Sequence, residues 1–546
     1  MGIEFRVAGP PGTGKTTWLA RAIAQAAEKQ GSENVLVTSF TRAAAAALVG
    51  RDLPIPRNNV GTLHALCYHA IDRPTIAETK LSEWNEKAPG AFQLSVKGDE
   101  RQMDDPLAER IGAQSGDEIM RKYQMLRNRL TPKDMWPEDV RAFDRLWVEW
   151  KDQTGYEDFT GMLERARDFY TAPGRPSVIF LDEAQDCVPL QWAVLRKWAD
   201  ECDTFVLAGD DDQCIFSFVG ASPELMLDPP VPDEQMRTLH QSYRVPRAVL
   251  DLSQNWIKQV GRRWQKDYQP RMDDAEEEVL GEVKHSMARW RDGDAALPVV
   301  EQALKNDHTI MILASCAYML QPVIASLRGH GLPFHNPYRR ANGSWNPLHV
   351  SRGTSVRERL LAYLRPQSET WGEDARWWTW KDVHDWAGML KVKGVFRTGG
   401  QGRLDAIAKI HGDELSNMEQ LLAEVFDEDA LSMAFEQDLD WLRSNLLAVR
   451  AKNAEFPLEI IKTQGSKALL DTPRVLIGTI HSVKGGEADE VLMYPDLSSQ
   501  GLRQWLTGGD QADAIRRMFY VGMTRTKWTL HLGTPSITHM SVEWGA

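Results

Sequence analysis

Residues 9–16 read Gly-Pro-Pro-Gly-Thr-Gly-Lys-Thr, and this stretch decides the fold of the first part of the chain. It follows a short apolar segment, Phe5–Ala8, that predicts a strand, and it precedes a predicted helix over Thr16–Gln30 that ends at Gly31. The eight residues match the complete pattern GxxxxGK[ST] in the strand–helix context that the pattern requires. Backbone N–H groups and a helix N-terminus can surround a phosphate there, so the stretch predicts a nucleotide-phosphate site.

Two further carboxylates complete the predicted chemistry. The apolar segment Val178–Leu181 predicts a buried strand, and Asp182 and Glu183 follow directly at its end. Lys15 would reach the β- and γ-phosphate oxygens, while the Thr16 hydroxyl and Asp182 would bind Mg²⁺ or its water shell. Glu183 would polarise the attacking water as a general base. The sequence therefore predicts ATP and Mg²⁺ as cofactors and hydrolysis as the reaction.

Strands and helices alternate along the rest of the chain, apart from two charged helical stretches near 76–171 and 338–464. The first stretch has the helical apolar period Met120, Tyr123, Leu126, Leu130. Further buried strands are predicted at Val35–Ser39, Thr204–Ala208, Ile310–Leu313, Val475–Thr479, Val491–Tyr494 and Thr529–Leu532. This pattern predicts an α/β fold with two domains, each interrupted by a mainly helical insertion.

Composition excludes several classes of protein. The net charge of −13 argues against a basic coat protein that binds nucleic acid without specificity, although a local basic groove stays compatible with it. The five cysteines form no CxxC pair and predict reduced thiols in a cytoplasmic protein without structural zinc. The uncharged segment 309–327 contains a glutamine and a proline, so a strand followed by a helix is preferred to a membrane span.

Five tryptophans lie within 371–386, and this cluster has two interpretations. A surface that contacts DNA would use Arg376 and Lys381, which lie among the tryptophans, but three aspartates in the same segment argue against it. The core of a small helical module is the preferred interpretation. The cluster consists of Trp371, Trp377, Trp378, Trp380 and Trp386.

Eight short motifs resemble those of UvrD/Rep-type superfamily 1 DNA helicases and occur in the order found in that family. Two of them are described above, namely the phosphate loop at 9–16 and Asp-Glu-Ala-Gln-Asp at 182–186. The others are Ser-Phe-Thr-Arg-Ala-Ala at 39–44, Gly-Thr-Leu-His at 61–64, Gly-Asp-Asp-Asp-Gln with Phe-Ser-Phe-Val-Gly-Ala at 209–221, Gln-Ser-Tyr-Arg at 241–244, Gly-Thr-Ile-His-Ser-Val-Lys-Gly-Gly-Glu at 478–487 and Tyr-Val-Gly-Met-Thr-Arg at 520–525. The resemblance spans nearly the whole chain. One departure is Val219, which stands where a basic residue is frequent in the family.

The resemblance implies two RecA-like P-loop NTPase domains with helical insertions. The expected boundaries are 1–75 and 172–225 for the first motor domain and 226–337 and 465–546 for the second. The insertions are expected at 76–171 and 338–464. The resemblance also implies ATP-driven translocation on single-stranded DNA in the 3′→5′ direction.

The resemblance further implies roles for individual residues. Gln213 would sense the γ-phosphate, Arg244 and Arg525 would approach it from the second motor domain, Tyr243 would stack on the base and Glu487 would face the ribose. The expected catalytic set consists of Lys15, Asp182, Glu183, Gln213, Arg244 and Arg525. The expected nucleotide contacts are Gly9, Pro10, Pro11, Gly12, Thr13, Gly14, Lys15, Thr16, Thr17, Tyr243 and Glu487. The expected DNA contacts are Phe40, Thr41, Thr62, His64, Phe216, Phe218, Thr479 and His481.

The expected function is that of an ATP-dependent DNA helicase or translocase that acts on single-stranded DNA and at junctions with duplex DNA, without a membrane partner. The protein partners expected for such an enzyme are replication or repair proteins. Two alternatives stay open, namely an ATP-gated factor that displaces protein without separating strands, and an RNA-directed ATPase. A metabolic P-loop kinase is disfavoured because it has no use for a second arginine-bearing domain.

Overall fold

The computed structural model describes residues 2–40, 50–96, 115–340, 342–350, 353–416 and 419–544. The chain packs into two compact units. Unit 1 consists of Met1–Lys284, Leu497–Leu530 and His539–Ala546, and unit 2 consists of His285–Asp496 and His531–Thr538. The four-segment division expected from the sequence stays a prediction.

Unit 1 is built on a sheet of six strands in the order β3-β2-β4-β5-β1-β6. The strands are β1 (Ile3–Ala8), β2 (Val35–Ser39), β3 (Val60–Thr62), β4 (Val178–Asp182), β5 (Thr204–Gly209) and β6 (Met236–Thr238). Neighbouring strands run parallel throughout. The strands β2 and β4 are buried along their whole length, which explains their continuous apolar sequence. Their carboxyl ends form one edge of the sheet, where ligands bind in such folds.

Helices cover both faces of this sheet and build the first insertion. They are α1 (Lys15–Gln30), α2 (Leu63–Ala70), α3 (Leu81–Lys87), α4 (Ser115–Asn128), α5 (Glu138–Thr154), α6 (Phe159–Phe169), α7 (Pro189–Ala199), α8 (Glu224–Leu227) and α9 (Arg247–Ile257). The helix α1 buries Leu19, Ile23 and Ala27 at four-residue spacing, and Gly31 ends it with φ 91°. Local sequence alone accounts for this helix.

The first insertion has an aromatic core of its own. Trp84, Phe143 and Trp147 are buried in edge-to-face and stacked contacts, with ring centroids 4.9–5.7 Å apart. The predicted apolar face is correct for Met120 and Tyr123 but wrong for Leu130. The helix α4 ends at Asn128, so Leu130 lies outside it, has φ 54° and is 42% exposed.

Unit 2 contains four parallel strands in the order β11-β8-β10-β9. Its elements are β8 (Ile310–Ala314), β9 (Phe334–His335), β10 (Val475–Thr479) and β11 (Ala488–Met493), with helices α10 (Leu297–Lys305), α11 (Gln321–Gly329), α12 (Val356–Tyr363), α13 (Ser368–Trp371), α14 (Trp380–Ala387), α15 (Gly400–His411), α16 (Glu419–Val425), α17 (Glu428–Phe435), α18 (Leu439–Ser444) and α19 (Ala448–Gln464). Two strands, β7 (Glu282–His285) and β12 (Thr526–Leu532), include residues of both units, and α20 (Ser499–Thr507) and α21 (Gly509–Met523) belong to unit 1.

Three expectations from composition are confirmed within the described residues. The segment 309–327 forms β8, a 3₁₀ turn and most of α11, and no described helix is long and apolar enough to cross a membrane. All five cysteines are buried and free. The tryptophan cluster is a module core, because Trp378, Trp380 and Trp386 are at most 4% exposed. The rings of Trp378 and Trp386 also pack on neighbouring aromatic rings.

Candidate nucleotide site and nucleic-acid contacts

The phosphate loop connects β1 to α1 in a conformation that glycine makes possible. Gly12 and Gly14 have φ 74° and 71°, and Thr13 closes the turn by donating its hydroxyl to the Pro10 carbonyl at 2.8 Å. A Cβ on Gly12 would lie 2.5 Å from the Arg244 Cβ, so both the backbone angle and the space require glycine. The first N–H groups of α1 lie at this turn, where an anion is favoured.

Lys15 contacts both carboxylates at the end of β4. Its ammonium is 2.7 Å from Glu183 Oε1 and 3.5 Å from Asp182 Oδ1. Burial by itself would lower the pKa of Lys15, but Glu183 and Asp182 outweigh it and raise the pKa above its ordinary value. Burial raises the pKa of Asp182, and the nearby Lys15 opposes that shift. Lys15 is therefore firmly charged, as a phosphate ligand must be.

Glu183 is held in an uncommon backbone conformation. Its φ of 55° lies in the left-handed region, which non-glycine residues adopt rarely. Gln185 donates its side-chain amide to Glu183 Oε2 at 2.6 Å and accepts the Asp210 backbone N–H at 3.0 Å. Gln185 thus ties the predicted general base to the loop that follows β5.

That loop carries Gln213, whose amide is bound at both ends. Its Nε2 donates to Asp210 Oδ2 at 2.8 Å, and its Oε1 accepts from Arg525 Nη2 at 2.9 Å. Lys15, Glu183, Gln185, Asp210, Gln213 and Arg525 therefore form one continuous chain of polar contacts. All of them belong to unit 1.

The segment Gln241–Arg244 packs directly on the phosphate loop. The Tyr243 N–H donates to the Gly12 carbonyl and the Ser242 hydroxyl donates to the Pro11 carbonyl, both at 2.8 Å. The Tyr243 side chain is 69% exposed, and a Cβ on Gly14 would lie 3.6 Å from its ring. An aromatic face is thus available beside the loop. The expected second motor domain includes Arg244 and Arg525, but packing groups both with the phosphate loop in unit 1.

The expected DNA contacts of unit 1 form an aromatic row. The ring centroids of Phe40 and Phe216 are 5.5 Å apart, and those of Phe216 and Phe218 are 5.9 Å apart. Phe216 is buried between its half-buried neighbours, so the outer two rings are the available faces. Thr62 caps α2 by accepting the Ala65 N–H at 3.3 Å, which leaves its hydroxyl proton to donate elsewhere.

The remaining expected contacts are less uniform. The rings of His64 and Phe159 meet edge to face at 6.3 Å. Thr41 lies outside the described residues. Thr479 and His481 are buried in unit 2, at the end of β10 and in the turn after it, and Glu487 follows in the same unit. Their predicted roles stay predictions.

Two family models match the chain. The model of the UvrD/REP helicase N-terminal domain covers residues 3–230, and the model of the UvrD-like helicase C-terminal domain covers residues 391–535. The chain belongs to the UvrD/Rep helicase family. These matches bear out both the resemblance noted in the sequence and the α/β class with two helicase domains.

Several curated relatives of the UvrD/Rep family are similar to the chain. It is 23% identical over 504 residues to DNA helicase II of Salmonella typhimurium, covering 84% of this chain and 64% of the relative. It is 26% identical over 296 residues to a putative ATP-dependent DNA helicase, YjcD, of Bacillus subtilis, covering 49% and 38%. A stretch of 79 residues is 39% identical to the ATP-dependent DNA helicase UvrD2 of Mycobacterium tuberculosis, covering 14% and 11%. The chain thus spans less than two-thirds of the length of these relatives.

The residues expected to hold Mg²⁺ suit a hard cation. Thr16 offers a hydroxyl in the first turn of α1, and Asp182 offers a carboxylate that is 1% exposed at the end of β4. Hydroxyl, carboxylate and phosphate oxygens are the ligands that Mg²⁺ prefers. Asp182 Oδ1 already accepts the Glu183 N–H at 2.9 Å, which orients the carboxylate.

Arg129, which directly follows α4 in the first insertion, makes a contact that the motifs do not predict. Its Nη2 donates to the Ser217 carbonyl at 3.1 Å, and a Cβ on Gly220 would lie 3.1 Å from its Cγ. Its side chain is exposed, and no carboxylate of the described chain forms an ion pair with it. The loop 213–223 itself contains no basic residue, so Arg129 adds a cation to the loop that carries Phe216 and Phe218.

A basic, glycine-rich segment in unit 2 also lies outside the eight motifs. Residues 391–403 read Lys-Val-Lys-Gly-Val-Phe-Arg-Thr-Gly-Gly-Gln-Gly-Arg and contain four cations but no acid. The four basic residues are exposed, and α15 begins at Gly400 within the segment. The signal was present in the sequence as a local charge imbalance in an acidic chain.

Proposed function

We propose that this protein is an ATP-dependent DNA helicase or translocase that moves 3′→5′ on single-stranded DNA. One observation carries the proposal, namely the polar chain from Lys15 through Glu183 and Gln213 to Arg525. Gln213 and the aromatic row at Phe216 and Phe218 belong to the same loop after β5. A movement of Gln213 in response to the γ-phosphate would therefore be passed along one short loop to Phe218, the ring of this loop that is available to DNA.

The roles of the residues in hydrolysis follow from their chemistry. Lys15 would exchange its contact with Glu183 for the phosphate oxygens, which frees the carboxylate to take a proton from the attacking water. Arg525 and Arg244 would stabilise the charge that develops on the transferred phosphoryl group. Mg²⁺, held by Thr16 and Asp182, would neutralise charge on the phosphates.

The DNA contacts would be independent of sequence. The half-buried rings of Phe40 and Phe218 offer faces on which bases can stack, at about 1–3 kcal/mol per base. The exposed cations of Arg129 and of the segment 391–403 would contact backbone phosphates. An acidic chain with local basic surfaces suits a partner that is bound along its backbone.

The first experiment measures ATP hydrolysis without nucleic acid, with single-stranded DNA and with single-stranded RNA. We expect stimulation by DNA at least tenfold and a much smaller effect of RNA. Equal or greater stimulation by RNA would favour an RNA-directed ATPase.

The second experiment measures strand separation on a fluorescent forked duplex and on gapped duplexes with single-stranded tails of opposite polarity. We expect ATP-dependent unwinding that requires a 3′ tail. DNA-stimulated hydrolysis without unwinding would identify the alternative, a remodelling or protein-displacing factor. Unwinding that requires a 5′ tail would contradict the proposed direction.

A further inference from the structure

Three consecutive aspartates after β5 enclose a lysine, and the chemistry outlined above assigns no role to that lysine. The Lys266 ammonium lies 2.9 Å from Asp210 Oδ1 and 2.9 Å from Asp212 Oδ2 and also contacts Asp211. The side chains of all four residues have no exposed surface. We call Asp210, Asp211 and Asp212 the aspartate cluster.

The aspartate cluster is close enough to hold a metal ion, but an internal cation already fills it. Carboxylate oxygens of the three residues lie within 4.8 Å of one another. Burial alone would lower the pKa of Lys266, and the three aspartates outweigh it and raise the pKa above its ordinary value. Lys266 is therefore charged and supplies the positive charge that such a cluster requires.

The residues around Lys266 reinforce this arrangement. Arg263 Nε donates to Asp212 Oδ1 at 2.8 Å, and the Trp264 N–H donates to Asp211 Oδ2 at 3.0 Å. Arg517, on α21, donates to the Asp211 carbonyl at 3.0 Å and to the Arg262 carbonyl at 2.9 Å. Residues 261–268 therefore hold the loop after β5 against α21, the helix that leads to Arg525.

The aspartate cluster connects directly to the γ-phosphate sensor. Asp210 Oδ1 is 2.9 Å from Lys266, while its Oδ2 accepts the Gln213 side-chain amide at 2.8 Å. The other end of that amide accepts from Arg525. Without Lys266, three buried carboxylates would repel one another in a low-dielectric environment, and Asp210 would move. Gln213 would then lose the partner that fixes its amide.

We propose that Lys266 is a positioning residue for hydrolysis. Through the aspartate cluster it holds Gln213 in the position in which Gln213 contacts Arg525. The expected effect on kcat rests on the proposed function, whereas the expected effect on the positions of Gln213 and Arg525 does not. The insertion offers a matched control in Lys151, a similarly buried lysine that lies 2.7 Å from Asp158 and 3.1 Å from Glu157. Both lysines neutralise buried carboxylates, and only Lys266 connects to Gln213.

The test compares Lys266→Met with Lys151→Met in the full-length protein. For Lys266→Met we expect DNA-stimulated kcat to fall at least tenfold, with KM for ATP changed less than threefold. Adding Asp211→Asn to Lys266→Met should restore kcat at least threefold, because it removes one of the unbalanced charges. Lys151→Met should keep kcat within twofold of the wild type. An equal fall of kcat in the two single variants, corrected for folded fraction, would overturn the proposal.

Amide hydrogen exchange of the nucleotide-free protein gives a readout that does not depend on activity. We expect Lys266→Met to increase exchange at residues 209–214 and 521–526 together, and Lys151→Met to increase it only in the first insertion. Unchanged exchange at 521–526 in Lys266→Met would overturn the positioning role. If the wild type hydrolyses no ATP, the proposed function fails, and the exchange pattern alone decides the role of Lys266.

A second variant guards against a Lys266→Met protein that does not fold. Arg263→Met removes the other cation of Asp212 at the edge of the aspartate cluster. It should lower kcat at least threefold at constant KM and increase exchange in the same two segments. Wild-type kcat and wild-type exchange in Arg263→Met would contradict the proposal.

Discussion

Arg525 donates a hydrogen bond from Nη2 to the side-chain oxygen of Gln213 at 2.9 Å, although 312 positions separate the two residues in the chain. The Arg525 side chain is 1% exposed, and its Nε donates to the Val521 carbonyl at 2.9 Å, which fixes the plane of the guanidinium. A planar fork can hold Gln213 and a phosphate oxygen at the same time, whereas an ammonium is a single point of charge. This pair motivates the first prediction.

Arg525→Lys should lower DNA-stimulated ATP turnover at least tenfold and change nucleotide affinity less than threefold. Lysine keeps the charge but loses the contact to Gln213 and the fork geometry. The measurement is steady-state hydrolysis together with binding of a fluorescent nucleotide. Arg516→Lys is the control, because Arg516 lies on α21 and pairs with Asp513 at 2.9 Å. A variant Arg525→Lys with near wild-type turnover would remove Arg525 from the catalytic set.

Glu183→Gln should lower turnover more than 100-fold and retain ATP binding within threefold, because the amide cannot accept the proton of the attacking water. Lys15→Ala should abolish turnover and weaken binding as well, because the phosphates lose their cation. Hydrolysis and equilibrium binding separate the two effects. Glu28→Gln, an exposed carboxylate on α1, should behave as the wild type. Normal turnover in Glu183→Gln would assign the general base to another residue.

Phe218→Ala and Phe40→Ala should each raise the half-saturating concentration of single-stranded DNA about tenfold and spare basal hydrolysis. Each loses stacking of about 1–3 kcal/mol per base but no contact with the phosphate loop. The readout is hydrolysis titrated with an oligonucleotide. Phe169→Ala is the control, because Phe169 is an exposed phenylalanine at the end of α6. Unchanged titrations for both Phe218→Ala and Phe40→Ala would disprove the stacking assignment.

Arg129→Gln should reduce the salt dependence of single-stranded DNA binding. Each phosphate contact contributes a slope of about 0.7 in the plot of log affinity against log salt concentration, so the variant should lose about that amount. Val219→Arg, which places a cation in the neighbouring loop, should restore the slope in the Arg129→Gln background. Arg141→Gln, an exposed arginine on α5, should leave the slope unchanged. Identical slopes for Arg129→Gln and the wild type would mean that Arg129 does not contact DNA.

Glu490 should make a contribution to the free energy of unfolding of unit 2 that is lost in acid. This carboxylate is buried, which alone would raise its pKa, but hydrogen bonds from His531 at 2.7 Å and His308 at 2.8 Å outweigh burial and hold the pKa below its ordinary value. Because the folded pKa lies below the unfolded one, the stabilisation is complete above about pH 4.5 and is lost as the pH falls through the folded pKa.

The corresponding variant is Glu490→Gln. Above about pH 5 it should lower the free energy of unfolding by about 2 kcal/mol, since hydrogen bonds to a charged group are lost. The difference from the wild type should shrink as the pH is lowered towards 3. Denaturant titrations at several pH values measure this. A difference that stays constant or grows in acid would contradict the assignment.

The sequence predicted the elements whose signals are local. The strand Val35–Ser39 is confirmed with the predicted bounds, and the helix after the phosphate loop differs from the prediction by one residue at its start. Apolar runs, helical periodicity and glycine at a helix end act between near neighbours, so they can be read directly from the chain. The phosphate loop and the two carboxylates after β4 belong to the same class of signal.

Tertiary structure alone decided which distant side chains meet. In the sequence, Lys266 is one lysine between Gln265 and Asp267, and nothing marks it as buried against three aspartates. Leu130 fits the apolar period of α4, but the chain leaves the helix before it and exposes it. Arg129 contacts a loop 88 positions away, and no local pattern encodes that contact. Burial and charge pairing depend on every segment that packs at one place, so they exist only once the chain has folded.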